Sequence, residues 1–141
     1  MIYLKQTETT VGFLSKKQKD LNILKQREID KPLIKEVTYI SDIKHRVPKK
    51  FRKQLRNSKN ITYILPSSHS YRVAPVGSEH HKFLKKHGEF YSTSANKSGE
   101  KFYEKWAKKA AQVVVFEPNG FCESKPSNIF KLYKNKQQRI R

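Results

Sequence analysis

One stretch of this sequence is dense in groups that bind anions: Tyr91-Ser92-Thr93-Ser94-Ala95-Asn96-Lys97-Ser98-Gly99. Small polar side chains closed by a glycine suit a loop whose hydroxyls and backbone N–H groups wrap a phosphate or a carboxylate. The same composition also fits a plain strand-to-helix connection capped by serine. An anion site needs cations as well, and the chain offers three candidates. Lys25 and Arg27 stand two apart at the end of a helical pattern, where they could equally be favourable partners of the helix dipole. Arg72 lies inside a strand pattern, where a cation often faces solvent. Two further polar clusters, the turn Thr7-Glu8-Thr9 and the segment Pro126-Ser127-Asn128-Ile129, are individually ordinary.

The elements that must position these groups follow from periodicity and punctuation. Ile2 to Gln6 reads as a short strand. Ser15 followed by Gln18 has the form of a capping box, with Leu21 and Leu24 giving the helix its apolar stripe. Lys31-Pro32 imposes an extended conformation, and Leu33 to Val37 reads as a strand. A basic helical region follows, with Pro48 in its first turn and Lys49, Lys50, Arg52, Lys53 and Arg56 around a thin stripe of Phe51 and Leu55. Ile61 to Leu65 and Ser70 to Ala74 are strands stopped by prolines. Glu79 to His87 is a helix with Phe83 and Leu84 inward and Gly88 as its C-terminal cap. After the polar loop, a helix runs from about Phe102 to Ala111. Val113 to Phe116 is continuously apolar, which predicts a central strand covered on both faces. Ser127 to Tyr133 is the last expected strand, before a basic tail over 134–141. Irregular alternation of strands and helices predicts an α/β or α+β fold, a twisted, open, mixed sheet flanked by helices in a single domain spanning 1–141.

Composition narrows the classes. The chain has 141 residues, 31 Lys and Arg against 12 Asp and Glu, and a formal net charge of +19. Self-repulsion on that scale weakens a compact state, so a polyanion partner is expected, nucleic acid before a membrane surface. One cysteine, Cys122, excludes an internal disulfide and a zinc site of ordinary thiolate spacing. The sequence has no apolar run of membrane-spanning length and no leader pattern, so a cytoplasmic protein is expected.

Taken in order, the polar clusters are specific. A threonine turn, K-x-R with K-P-L behind it, a strand carrying arginine, then S-T-S-A-N-x-S-G and P-S-x-I closely resemble the YrdC/Sua5 family, over nearly the whole chain from about residue 5. The resemblance implies a YrdC/RibB-like fold and the synthesis of L-threonylcarbamoyladenylate and pyrophosphate from L-threonine, bicarbonate or CO2, and ATP. That product serves the N6-threonylcarbamoyladenosine modification of tRNA. It further implies that Lys25, Arg27, Lys31, Ser94, Asn96 and Arg141 bind ATP, and that Thr9, Arg72, Ser92 and Ser127 bind threonine, with Glu36 as a further candidate. Mg2+ would arrive on the nucleotide, with no metal ligand from the protein. Partners implied are tRNA or double-stranded RNA on the basic surface and a tRNA-modifying threonylcarbamoyl transferase complex.

The sequence also departs from the family pattern. It starts almost at the threonine turn, so a shortened N-terminus is expected. Gln6 and Val11 replace the usual Pro and Tyr around that turn, and Asn128 stands where Thr is common. Glu36 stands where relatives present a histidine toward threonine. These departures keep an alternative open: a non-catalytic YrdC-like module that binds RNA and no longer activates threonine.

Overall fold

The computed structural model describes residues 1–141. The elements, in chain order, are β1 (Tyr3–Gln6), β2 (Val11–Ser15), α1 (Gln18–Leu24), β3 (Ile34–Val37), α2 (Arg52–Arg56), β4 (Ile61–Ile64), β5 (Ser70–Val73), α3 (Glu79–His87), β6 (Phe90–Ser94), α4 (Glu104–Ala110), β7 (Val113–Val114), β8 (Asn128–Leu132) and β9 (Gln137–Arg139). Short 3-10 turns precede α2 at Ile40–Asp42 and Lys49–Phe51. The chain divides into two compact units, Met1–Leu33 with Phe90–Lys125, and Ile34–Glu89 with Pro126–Arg141. Both contain parallel and antiparallel strand pairs together with helices, so the α/β class with mixed pairing is what the sequence leads one to expect. No helix is long and apolar enough to cross a membrane.

In the first unit the strands run in the order β7-β1-β2-β6. β1 and β2 pair antiparallel with Leu4 opposite Phe13, and β2 pairs antiparallel with β6 with Leu14 opposite Ser92. Leu4, Val11, Phe13, Leu21 and Ala107 form the core, and Trp106 meets the Phe13 ring edge-on at 5.7 Å. β2 is buried at all five positions, which is why no alternation marks it in the sequence and why it is missing from the expected strands. The capping box is corrected for the same reason. Ser15 is the last residue of β2, its Oγ accepts from the Lys17 N–H at 3.1 Å, and the N-cap of α1 is Lys17, which makes no side-chain capping bond. The apolar run Val113 to Phe116 is also corrected. β7 holds only two residues, sits on the outside of β1 in parallel pairing, and is followed by Phe116 at 83% exposure. A central strand would have covered that ring.

In the second unit the order is β3-β5-β4-β8-β9, with β3–β5 and β4–β8 parallel and β5–β4 and β8–β9 antiparallel. Val37, Tyr63, Leu65, Tyr71, Val73 and Leu132 pack with Phe51 and Leu55, the two apolar residues of the basic helical segment. Residues 134–141 fold back on β8 through β9, with Leu132 opposite Gln137. α3 has the expected bounds, and Gly88 closes it at φ +84°. Its N-cap is Ser78, whose Oγ accepts from the His81 N–H at 3.0 Å. Ser78→Ala leaves that donor without its cap and is expected to cost about 1 kcal/mol by urea denaturation.

Candidate functional site

The K-x-R motif is a helix terminus. The Gln26 N–H donates to the Ile23 carbonyl at 3.0 Å and the Arg27 N–H to the Asn22 carbonyl at 2.9 Å, while Gln26 sits at φ +54°. This is the paired-bond ending in which one residue adopts the left-handed conformation. It reverses the chain after Lys25 and sends Arg27 back along the unit. Gln26 is exposed, so its side chain contributes no packing that would offset the backbone strain. Gln26→Gly is therefore expected to raise stability by about 1 kcal/mol in thermal or urea unfolding. Buried Asn22 fixes what comes next, its Nδ2 donating to the carbonyls of Ile29 and Lys31, each at 2.9 Å. The loop so held lines a cleft of about 670 Å3 with Arg27, Glu28, Asp30, Lys31 and Pro32.

Lys25 is 4% exposed and its ammonium binds the polar loop of the opening motif. Nζ donates to the Ser94 carbonyl at 2.9 Å, to the Asn96 carbonyl, and to Asn96 Oδ1 at 3.1 Å. Ser98 Oγ donates to the Lys25 carbonyl at 3.3 Å, and Arg27 Nη1 reaches Thr93 Oγ1 at 3.4 Å. Asn96 Nδ2 donates to the Lys97 and Glu100 carbonyls and so closes the loop on itself. The arrangement brings a cationic pair and a hydroxyl-rich loop together. It differs from the expected strand-to-helix junction, because α4 begins only at Glu104 and its N-cap Tyr103 offers no side-chain bond.

Burial, then the neighbouring Arg27 charge, lowers the Lys25 pKa from 10.5 to about 8. The unfolded chain therefore holds more protons between those two values, and this residue's contribution to stability rises with pH across that window. An anion bound beside Lys25 favours its protonated form. Affinity for inorganic tripolyphosphate is thus expected to hold below pH about 8 and to fall above it. Calorimetric titrations on either side of that pH check this, and an equal affinity on both sides would contradict it.

A second polar cluster lies in the second unit. β3 and β5 place Glu36 opposite Arg72 in parallel register. Arg72 Nη1 donates to Glu36 Oε1 at 2.7 Å, Nε to Thr62 Oγ1 at 3.2 Å and Nη2 to Ser127 Oγ at 3.2 Å. Thr62 and Ser127 share a hydrogen bond at 2.8 Å, and His80 Nε2 bonds Glu36 Oε2. Arg141 closes the group, donating from Nε and Nη2 to the Ser127 carbonyl at 3.0 and 2.8 Å. Glu36, Arg72, His80, Thr62 and Ser127 are all buried. A charged pair this deep persists only with such a complete set of partners.

The expected site residues thus fall into two groups. Lys25, Arg27, Ser94 and Asn96 come together in the first unit, where Lys31 lines the adjoining cleft. Thr9 and Ser92, both buried, are in the same unit; Thr9 Oγ1 lies 3.2 Å from Thr7 Oγ1 in the β1–β2 turn. Arg72, Ser127 and Glu36 come together in the second unit, and Arg141, expected with the phosphates, is bonded there to Ser127. The sequence reading missed Asn22, Thr62 and His80. Asn22 and His80 are polar residues on the inward faces of short helices, where only tertiary contact gives them a task. Thr62 would have been found by asking which residue of β4 shares a face with Arg72.

No protein-family model and no curated protein matches the sequence. Solved structures do match. The solution structure of the MTH1692 protein from Methanobacterium thermoautotrophicum is similar over 99% of this chain and 79% of its own, with a TM-score of 0.69 and 20% identity. E. coli YciO is similar over 99% of this chain and 82% of its own, at TM-score 0.74 and 15% identity. P. abyssi Sua5 complexed with L-threonine is similar over 99% of this chain and 49% of its own, at TM-score 0.75 and 15% identity. The chain therefore spans about half the length of that Sua5 and shares with all three a fold.

Proposed function

We propose that this chain, which carries the fold of Sua5 and YciO, binds ATP at the Lys25–Asn96 loop and activates L-threonine as threonylcarbamoyladenylate. The observation that carries this reading is the Lys25 ammonium seated in the S-T-S-A-N loop with Arg27 beside it. An accessible polar loop with a buried ammonium seated beneath it suits the triphosphate of a nucleotide. The threonine side is supported by the L-threonine complex of P. abyssi Sua5, a protein of the same fold. In this chain the groups that suit an amino acid's carboxylate and hydroxyl are Arg72, Thr62 and Ser127.

The chemistry asks for no covalent attachment to the protein. The threonine amine adds to CO2 and loses a proton, giving a carbamate. A carbamate oxygen attacks the α-phosphorus of ATP, the bond from that phosphorus to the bridging oxygen breaks, and pyrophosphate leaves. Arg27 would hold the phosphates in line, while Lys25, its three donors committed to the loop, would keep the loop's shape and lend it the positive charge that offsets the charge growing on the leaving group. Mg2+ would enter bound to the triphosphate. Pyrophosphate release by the purified protein tests the reading: it should require threonine and bicarbonate together, and release with ATP alone would contradict it.

One observation favours a second reading. Glu36 already occupies the Arg72 fork that would take a substrate carboxylate. A module that binds RNA without activating threonine would have that use for the pair. Calorimetry with L-threonine separates the two, since the module would give no heat.

A further inference from the structure

We propose that Gln6 is a positioning residue of the first unit: its side-chain amide clips a strap, residues 117–125, to the threonine turn. The clipped strap closes in response to an anion bound at the Lys25–Asn96 loop. The strap has no helix or strand of its own, and most of it is exposed. It reverses at Gly120, which sits at φ +73° and donates its N–H to the Glu117 carbonyl at 3.0 Å. Phe121 packs against the core, edge-on to Phe102 at 6.5 Å. The next residue is held by two bonds of opposite sense. Gln6 Oε1 accepts from the Cys122 N–H at 2.9 Å, and Gln6 Nε2 donates to the Cys122 carbonyl at 3.1 Å. One side-chain amide thus stands in for the peptide group of a neighbouring strand. A proline at position 6, usual in the pattern this sequence resembles, could make neither bond.

The strap reaches two parts of the site. On one side Gln6 Nε2 also donates to the Thr7 carbonyl at 3.3 Å. Thr7 organises the turn: its Oγ1 donates to the Thr10 carbonyl at 2.7 Å and accepts from the N–H groups of Thr9 and Thr10. On the other side Glu123 Oε1 accepts from the Phe102 N–H at 2.8 Å. Phe102 ends the return of the polar loop, where Asn96 Nδ2 holds the Glu100 carbonyl and Lys25 Nζ holds Asn96 Oδ1. Hydrogen bonds and short stretches of chain therefore lead from Lys25 through Asn96 and Glu123 to Gln6 and the turn. A segment held by so few anchors is the kind that opens locally while the rest of the unit stays folded. An anion at the loop adds free energy only to the arrangement in which Asn96 and Glu100 keep their places, and so favours the closed strap. The coupling rests on the nucleotide reading of the loop given above; the clip stands on its own bonds.

Cys122 is the only cysteine of the chain, so protein made with isotopically labelled cysteine gives a single amide signal, that of the N–H bonded to Gln6. Hydrogen exchange at that amide, followed by NMR, tests the proposal, with inorganic tripolyphosphate as the anion. Gln6→Met keeps the length of the side chain and loses both bonds, and should speed exchange at Cys122 by about 5- to 10-fold. Gln6→Glu keeps the acceptor and loses the donor; it should give a smaller rise, and it serves if Gln6→Met does not fold. In the wild type, tripolyphosphate at about ten times its Kd should slow exchange about 3- to 10-fold, the upper figure being the limit in which an open strap cannot bind the anion. Glu123→Ala should abolish that slowing, and Glu123→Gln, whose amide oxygen still accepts from Phe102, should retain it. Equal exchange in wild type and Gln6→Met overturns the clip. Anion binding seen by calorimetry with no change at Cys122, or the same slowing in Glu123→Ala, overturns the coupling. A wild-type chain that gives no heat with tripolyphosphate overturns the nucleotide reading and the coupling with it, while the Gln6→Met result still decides the clip.

Discussion

Glu36→Ala is expected to lower the stability of the protein by about 3–5 kcal/mol, the cost of leaving the buried Arg72 guanidinium without its counter-charge. The substitution also removes the acceptor of His80, whose Nδ1 is buried with no partner, so the ring would lose its one hydrogen bond. Arg72→Ala should cost a similar amount, because Glu36 would then be the uncompensated charge. The double variant Glu36→Leu/Arg72→Met separates charge from packing. If the pair is held for its geometry, the double variant should fold with stability close to wild type while losing threonine binding. Urea denaturation of wild type, Glu36→Ala, Arg72→Ala and the Glu36→Ala/Arg72→Ala variant closes the cycle that gives the coupling energy. A Glu36→Ala variant within about 0.5 kcal/mol of wild type would mean that the cluster is hydrated and open.

Lys25→Ala is expected to weaken ATP binding about 100-fold. Its three hydrogen bonds fix the Ser94 and Asn96 carbonyls and the Asn96 side chain, so the variant loses both a charge and the shape of the loop. Lys25→Arg should rescue little of this, since a planar guanidinium cannot direct three donors into the space of a compact ammonium. Arg27→Ala, which removes one long contact to Thr93, should cost about tenfold. Calorimetric titration with a non-hydrolysable ATP analogue measures all three. Threonine binding that survives in Lys25→Ala would show that the loss is local. An Ala variant that binds the analogue as wild type does would remove Lys25 from the nucleotide site.

How much of this could be read from the sequence depended on the range of the interaction. The chemistry of the S-T-S-A-N loop and of K-x-R is written in their residue types, which mark both as anion-binding candidates. That Lys25 seats itself in that loop was not readable, because the partners are 69 and 71 residues away. β2 escaped notice because burial on both faces erases the alternation that marks a half-exposed strand. The opposite error put Val113 to Phe116 in a central position: an apolar run signals burial on average, but here Val114 and Phe116 are exposed. His80 shows a third limit. A helix stripe identifies which apolar residues face inward, and it says nothing of a histidine whose partner, Glu36, comes from a strand 44 residues earlier. Glu36 itself was visible as a departure from the family pattern. Its occupation of Arg72 was not, and that contact is the observation that favours the binding module.

The central claim is the adenylylation of a threonine carbamate, and labelled bicarbonate tests it most directly. Purified protein is incubated with L-threonine, ATP, Mg2+ and labelled bicarbonate, and the nucleotide products are separated. The account predicts a labelled adenylate formed in equal amount with pyrophosphate and absent when threonine is left out. No labelled adenylate at protein concentrations matching the substrate, with the chain folded by circular dichroism, would contradict it.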